Sequence, residues 1–369
     1  MSKFYPPDPG GLEHAVATLA EGAAARGHRV RVVSATGSGW TGRRGSFDPR
    51  VDAAGVEVVR LPTPGVFWSQ PLARGYIRAA RWLADIVYVH RPHPLADLAV
   101  LLGPRRCTVV FHHSDVQRQR LVRAVYGPLA RKVAGAAAAT VVATRAHLDN
   151  AEDLGPRGRE KARVIPYGVD GMRFAPGRDL PRPEIFGSAG GPVGLFVGRL
   201  VGYKGLDVLL GAVVGTGLRV VIVGDGPLRE QLERQIRELD IATQVSLTGT
   251  VPEADLPAYY SAADYFVLPS NSPAEMFGIS LIEAMACGKP VISTSLPTGV
   301  REVNAKDESG LEVAPGDVGE LRTAMKRLAG DRELRARLGA AARKRVEDRF
   351  TLDRMVDAHL DLCRELVKA

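Results

Sequence analysis

The sequence predicts an α/β protein made of two doubly wound parallel-sheet domains. Three observations carry that reading. Short apolar runs alternate with stretches of helical periodicity, first between Val30 and Ala143 and again between Val193 and Thr294. A stretch rich in Pro, Gly and Arg, residues 175–192, separates the two arrays and places a boundary between residues 1–174 and 175–350. The second array holds a strand, loop, helix, strand unit at residues 269–299, with two carboxylates, Glu275 and Glu283, around its helix start.

In the first array, residues 6–11 form a rigid turn that ends in Gly10 and Gly11. Such a pair is either a plain tight turn or a place where a ligand meets bare backbone N–H groups. Leu12, Val16, Leu19, Ala20 and Ala23 then recur at helical spacing, and Gly27 ends that helix. Val30, Val32 and Val33 form a strand, and residues 37–45 a flexible basic loop. Residues 86–89 and 108–111 are strands, ending in His90-Arg91-Pro92-His93 and His112-His113-Ser114-Asp115. Polar groups there line the ligand edge of an α/β domain, or a solvated loop. His90 and His93 have no third ligand nearby, so no metal is expected at them. Residues 121–139 read as an Ala-rich helix. Arg118 and Arg120 lie just before it, and Arg123, Arg131 and Lys132 within it. Their face is a solvated one, or one that lies on anionic lipid. Residues 140–143 are a further strand.

In the second array, residues 193–197 are a strand, followed by Gly198-Arg199-Leu200, Tyr203-Lys204-Gly205 and a helix over 206–212. Two cations at a strand-to-helix crossing suit a diphosphate, because Arg offers a planar fork and Lys a point charge. Surface ion pairing is the plainer alternative. Residues 220–223 are a strand, then Gly224-Asp225-Gly226-Pro227 and a helix through Leu239. A strand over 245–247 leads to Val251-Pro252 and a helix over 256–262. The apolar run 265–268 is a buried strand closed by Pro269-Ser270. From about Gly278, the positions Ile279, Leu281, Ile282 and Met285 make a short helix, stopped by Cys287-Gly288, and residues 291–294 are the next strand. The helix start at Met276, Phe277 and Gly278 is a seat for a phosphate, since the first N–H groups of a helix are unpaired and partly positive. A Glu just before that seat accepts from hydroxyls instead. Diphosphate plus hydroxyls at both ends describes a nucleotide sugar. Residues 317–347 make charged helices and 352–367 an amphipathic one.

At 369 residues the chain has room for two domains, and its hydrophobic content of 45% is ordinary for a globular protein. A net charge of +8 and a pI near 9.5 favour an anionic partner. Three separated cysteines argue against a disulfide framework or zinc site. No apolar run approaches the roughly 18 residues needed to span a bilayer. The N-terminus is polar and shows no signal-peptide core. The expected location is the cytoplasm, with peripheral contact to the inner membrane face as a further possibility. Nucleic-acid binding is disfavoured, because aromatics are 6% and do not interleave with the basic runs.

Taken in order, Gly10-Gly11, His113, Gly198-Arg199 with Lys204-Gly205, Gly224-Asp225-Gly226, and Glu275 through Glu283 resemble the retaining glycosyltransferases of family 4. The resemblance covers most of the chain, and the segments around His112-His113 and residues 283–300 look most like bacterial mannosyl- and rhamnosyltransferases of lipid-linked saccharide synthesis. It implies the GT-B architecture, two Rossmann-like domains with a cleft between them. The first would serve the acceptor and the second the nucleotide sugar, with residues 351–369 returning to the first. It implies catalytic roles for His113, Arg199, Lys204 and Glu275, the two cations neutralising the departing diphosphate. It implies nucleotide-sugar contacts at Gly10, Gly11, Asp115, Gly198, Gly224, Val251, Met276, Phe277, Gly278 and Ile279, with Glu283 on the ribose. No cofactor and no obligatory metal are expected, and GDP-mannose is the favoured donor. UDP-sugar or dTDP-rhamnose donors, a nucleotide-sugar epimerase and a non-catalytic relative are the alternatives. One departure stands out. Family members begin with an apolar strand before the segment matching Lys3-Phe4-Tyr5, and here only Met1-Ser2 precede it. The expectation is a late start or a first sheet with unpaired backbone groups.

Overall fold

A computed structural model of the chain describes residues 1–8, 10–36, 49–67, 70–73, 75–104, 106–114, 120–178, 180–187 and 190–368. Asp115 and the loop at 37–45 lie outside these residues. The chain forms two units, Met1–Tyr167 with Leu352–Ala369, and Gly168–Thr351.

In the first unit, strands Ile86–Arg91, Cys107–His112, Ala139–Val142 and Ala162–Val164 form a parallel sheet in that order. Strand Arg31–Ala35 pairs in parallel with Glu57–Leu61, and Arg50–Val51 adds an antiparallel edge. Residues 1–3 run between these two sheets. Ser2 N–H donates to the Val33 carbonyl at 3.0 Å and Ala35 N–H to the Lys3 carbonyl at 2.9 Å. On the other side, His90 N–H donates to the Met1 carbonyl at 3.0 Å and the Met1 ammonium to the Tyr88 carbonyl at 2.6 Å. The expected break in pairing is therefore bridged, because strand groups alternate sides and three residues reach both neighbours.

The helix read over 121–139 spans Arg120–Ala136, and the next strand begins at Ala139. The Ala run alone does not mark this stop. The Lys161 ammonium does, donating to the carbonyls of Gly135 and Ala137 at 2.9 Å each. The final helix, Leu352–Lys368, packs on the first, Gly11–Ala25. Arg26 bonds Asp353 and Asp357 at 2.7 Å each, and Gly22 leaves room for Val356.

The second unit holds a six-stranded, all-parallel sheet. Its order is Val245–Gly249, Arg219–Val223, Val193–Val197, Tyr265–Leu268, Val291–Thr294 and Gly310–Val313. The four inner strands are almost wholly buried, as sheets covered on both faces require. The chain builds outward from Val193–Val197 in one direction and then returns to lay Tyr265–Leu268 on its other side. That reversal is the topological switch point, where an open α/β sheet leaves a crevice at its strand ends.

Candidate functional site

Both strands at the switch point end in residues singled out from the sequence. Val193–Val197 runs into Gly198 and Arg199, and a 3-10 turn, Gly202–Lys204, follows. Gly205 has φ 66°, and a Cβ there would stand 2.0 Å from the Pro269 carbonyl oxygen. Only glycine lets this turn sit against the end of Tyr265–Leu268. The approach brings Lys204 Nζ to 2.5 Å from Glu275 Oε2. Ser270 Oγ donates to the same oxygen at 2.9 Å, and Thr294 Oγ1 holds the Ser270 carbonyl at 2.6 Å. Lys204 is 9% exposed and Glu275 7%. Burial pulls the Lys204 pKa down, but the Glu275 carboxylate more than offsets this and the pKa is raised. Lys204 is therefore charged at neutral pH. Glu275 Oε1 receives no hydrogen bond from the described residues. Arg199 is exposed, and its guanidinium makes no ion pair with them.

The helix Ile279–Ala286 starts after Gly278, which is left-handed at φ 79°. Met276 and Phe277, read as part of the phosphate seat, also have structural work. The Met276 carbonyl accepts from Gly299 N–H at 2.9 Å, and the Phe277 ring is buried edge-on against Phe350. Glu283 Oε2 accepts from the hydroxyl of the fully buried Tyr260 at 2.6 Å. The family resemblance implies a nucleotide-sugar contact at Gly224. A Cβ there would stand 2.0 Å from the Gly198 carbonyl oxygen, so contact between the two turns already requires the glycine. Val251 is half-buried in the segment after Val245–Gly249.

In the first unit, Gly10 and Gly11 open the helix Gly11–Ala25, with the Glu13 carboxylate folded over the space a Gly10 side chain would take. His112 and His113 point to opposite sides of their strand end, following the pleat. His112 is buried with its ring 5.2 Å from that of His147. His113 is half-buried, with His90 Nδ1 at 3.0 Å from its Nε2 and the Tyr167 hydroxyl on its Nδ1. Burial, then the neighbouring imidazoles, hold the His113 pKa well below the ordinary histidine value. Next to this group lies an ion pair hidden from the sequence. Arg91 Nε is 3.1 Å from Asp97 Oδ2, their side chains are 1% and 0% exposed, and Tyr126 bonds both.

The structure thus joins Lys204 and Glu275 directly and fixes Glu283 on the helix that follows. The sequence reading missed Ser270 and Tyr260. Ser270 stood in plain view as a strand-ending residue, with nothing to reveal that its hydroxyl turns to Glu275. Tyr260 lies 23 positions from Glu283, and only packing joins them. Among the described residues, no cluster of His, Cys, Asp and Glu could hold a metal ion, and no helix is long and apolar enough to cross a membrane.

Comparison with known proteins identifies the family and the fold. A family model for group 1 glycosyl transferases matches residues 183–345, and one for Glycosyltransferase Family 4 matches residues 9–172. The chain is 30% identical to O-antigen chain mannosyltransferase C of Escherichia coli, over 99% of this chain and 97% of that protein. It is 37% identical to D-rhamnosyltransferase WbpZ of Pseudomonas aeruginosa, over 73% of this chain and 70% of that one. It is 30% identical to the GDP-mannose-dependent alpha-(1-6)-phosphatidylinositol monomannoside mannosyltransferase of Mycolicibacterium smegmatis, over 93% and 92%. Among solved structures, sucrose-phosphate synthase of Thermosynechococcus elongatus superposes with a TM-score of 0.82 at 23% identity, covering 97% of this chain and 94% of that one. Anabaena HepE, solved with UDP-glucose, superposes at 0.78 and 20% identity, covering 99% and 98%. The chain belongs to the group 1, family 4 glycosyltransferases and is an enzyme with the GT-B fold.

Proposed function

We propose that this enzyme transfers a hexosyl group, mannose from GDP-mannose, with retention of anomeric configuration, to a saccharide or lipid-linked saccharide. The observation that carries the reading is the buried Lys204–Glu275 ion pair at the switch point, in the same strand-to-helix turn as the exposed Arg199, which makes no ion pair with the described residues. The names of the relatives support mannose and GDP as the donor.

In this reading the bond between the anomeric carbon and the diphosphate breaks, and its electron pair stays on the phosphate oxygen. Arg199 and Lys204 offset that negative charge, which is largest in the transition state, so they lower the barrier more than they tighten binding. Lys204 can do this while paired, because an ammonium has three N–H groups and Glu275 takes one. The start of helix Ile279–Ala286, with Met276, Phe277, Gly278 and Ile279, supplies further N–H groups to the phosphates. Glu275 Oε1 accepts from a sugar hydroxyl, and Glu283, fixed by Tyr260, accepts from the ribose. Val251 and Gly198 border the nucleotide, and the family resemblance implies donor contacts at Gly10, Gly11 and His113. The acceptor hydroxyl bonds to the anomeric carbon, and its proton passes to the departing phosphate. The cations take the place of a divalent ion. The basic helix Arg120–Ala136, with Arg131 and Lys132 exposed, would bring the enzyme to an anionic membrane where a lipid-linked acceptor resides.

Thermal shift against GDP, UDP, dTDP and ADP without metal tests the donor. Saturation at 100 times Kd should stabilise the protein by about 2.7 kcal/mol. A shift selective for GDP is expected. A shift with UDP or dTDP instead keeps the transferase and replaces the donor, and no shift with any of the four overturns the reading. The anomeric configuration of the product, read by NMR, decides retention.

A further inference from the structure

We propose that His90 and Tyr167 are positioning residues for His113, holding its imidazole neutral in one tautomer with the proton on Nε2. The inference rests on reading His113 as part of the donor site.

Both ring nitrogens of His113 are used inside the first unit. His90 Nδ1 lies 3.0 Å from His113 Nε2, and the two rings are within 10° of parallel. The Tyr167 hydroxyl bonds His113 Nδ1, with those rings within 14° of parallel. Phe111 packs against all three rings, so none can turn without displacing it. The imidazole is clamped in orientation as well as in bonding.

Proton positions follow from the chemistry of the three groups. Burial opposes charge on each, lowering the pKa of His90 and of His113 and raising that of Tyr167. The other groups acting on His113 are the imidazoles of His112 on its own strand, His147 on helix Arg145–Asn150 and His359 on helix Leu352–Lys368. These also oppose its protonation. With all three groups neutral, the phenol is a good donor, and an imidazole nitrogen with a free lone pair is a good acceptor. Tyr167 O–H therefore donates to Nδ1. His113 then carries its proton on Nε2 and donates it to His90 Nδ1, which leaves the His90 proton on Nε2. Tyr167 is also the last residue of the first unit before the chain enters the second. Its phenol ties that exit point to the end of strand Cys107–His112.

The function of such a clamp is to hold His113 in one orientation with its Nε2–H preset, so that donor binding has only to redirect that N–H from His90. Removing the phenol leaves Nδ1 unpaired, and the proton can then move between the ring nitrogens.

The test uses the full chain labelled with 15N-histidine. Long-range 1H–15N spectra report the tautomer of each ring, and His113→Ala identifies the His113 signals by their loss. In the wild type His113 should read as Nε2–H. In Tyr167→Phe, which keeps the ring volume, it should read as mixed or as Nδ1–H. With GDP-mannose as the probe, Tyr167→Phe should lower kcat roughly tenfold, leave donor KM within about twofold, and move the acid limb of the pH profile. His90→Asn keeps an acceptor near the Nδ1 position and should retain the wild-type tautomer, whereas His90→Leu should behave like Tyr167→Phe. Melting curves confirm folding of each variant. Wild-type His113 with its proton on Nδ1 overturns the proposal. So does an unchanged spectrum in Tyr167→Phe, even with a lower kcat, since the phenol would then act by another route. Full activity in His113→Ala instead defeats the reading of the donor site, and the spectra still decide where the proton sits.

Discussion

The two units bury ionisable groups in opposite ways. In the second, Lys204 meets Glu275 at the switch point and stays charged. In the first, His90, His93 and His359 are buried and His113 half-buried, and desolvation drives each pKa down, so the rings are neutral. The contrast is between charge kept by pairing and charge removed by burial. In the second unit a buried ammonium stays charged because a carboxylate meets it. In the first, desolvation leaves the imidazoles neutral, and His113 bonds to His90 and Tyr167. The first unit also buries an ion pair, Arg91–Asp97, which lies wholly inside.

The comparison breaks most visibly at the charged pair. Lys204→Ala and Glu275→Ala should each lower kcat for transfer by about 100–1000-fold, as loss of an oxyanion-hole donor does. Wild-type turnover in either, in initial-rate assays on folded protein, removes the assignment. The largest effect on stability should come from the first unit. Asp97→Ala leaves the buried Arg91 uncompensated and should cost about 3–5 kcal/mol, read from the urea midpoint. A loss under about 1 kcal/mol would mean that water reaches the pair.

Acid should separate the two units next. A histidine whose folded pKa is depressed binds fewer protons folded than unfolded, so its contribution is complete above about pH 6.5 and is lost as pH falls. For His359 the window runs from the unfolded value of 6.5 down to about 3. The Lys204 pKa is raised, so its contribution is complete below the unfolded value of 10.5 and is lost as pH rises through the folded value. Histidine and tyrosine signals of the first unit should therefore melt first on acidification, and a simultaneous loss of both units would contradict this. Smaller effects follow. Tyr260→Phe should cost about 1 kcal/mol and weaken GDP binding several-fold by calorimetry, because Glu283 loses its fixed donor. Lys344→Ala, at the exposed pair with Asp348, should change stability by under about 0.5 kcal/mol in the same urea titration.

Much of the second unit was legible in the sequence. Its strands are short, continuous apolar runs and its turns carry Gly and Pro, so each local preference agrees with the sheet. Arg199 and Lys204 stood out as cations at a strand-to-helix crossing, and Glu275 and Glu283 as carboxylates around a helix start. The first unit was less legible. The pairing of residues 1–3 on both sides, the Lys161 cap that ends helix Arg120–Ala136, and the Arg91–Asp97 pair depend on partners distant in sequence.

By itself the sequence determined the two α/β arrays, the strand ends that carry polar groups and the family to which the ordered motifs belong. Periodicity and turn chemistry act over a few residues, and a chain read in order displays them. Only the tertiary structure decided that Ser270 and Lys204 share one oxygen of Glu275, that Tyr260 holds Glu283, and that His113 lies between His90 and Tyr167. A hydrogen bond selects its partner by distance and direction. Those are set by how whole sheets and helices pack, which no local pattern encodes.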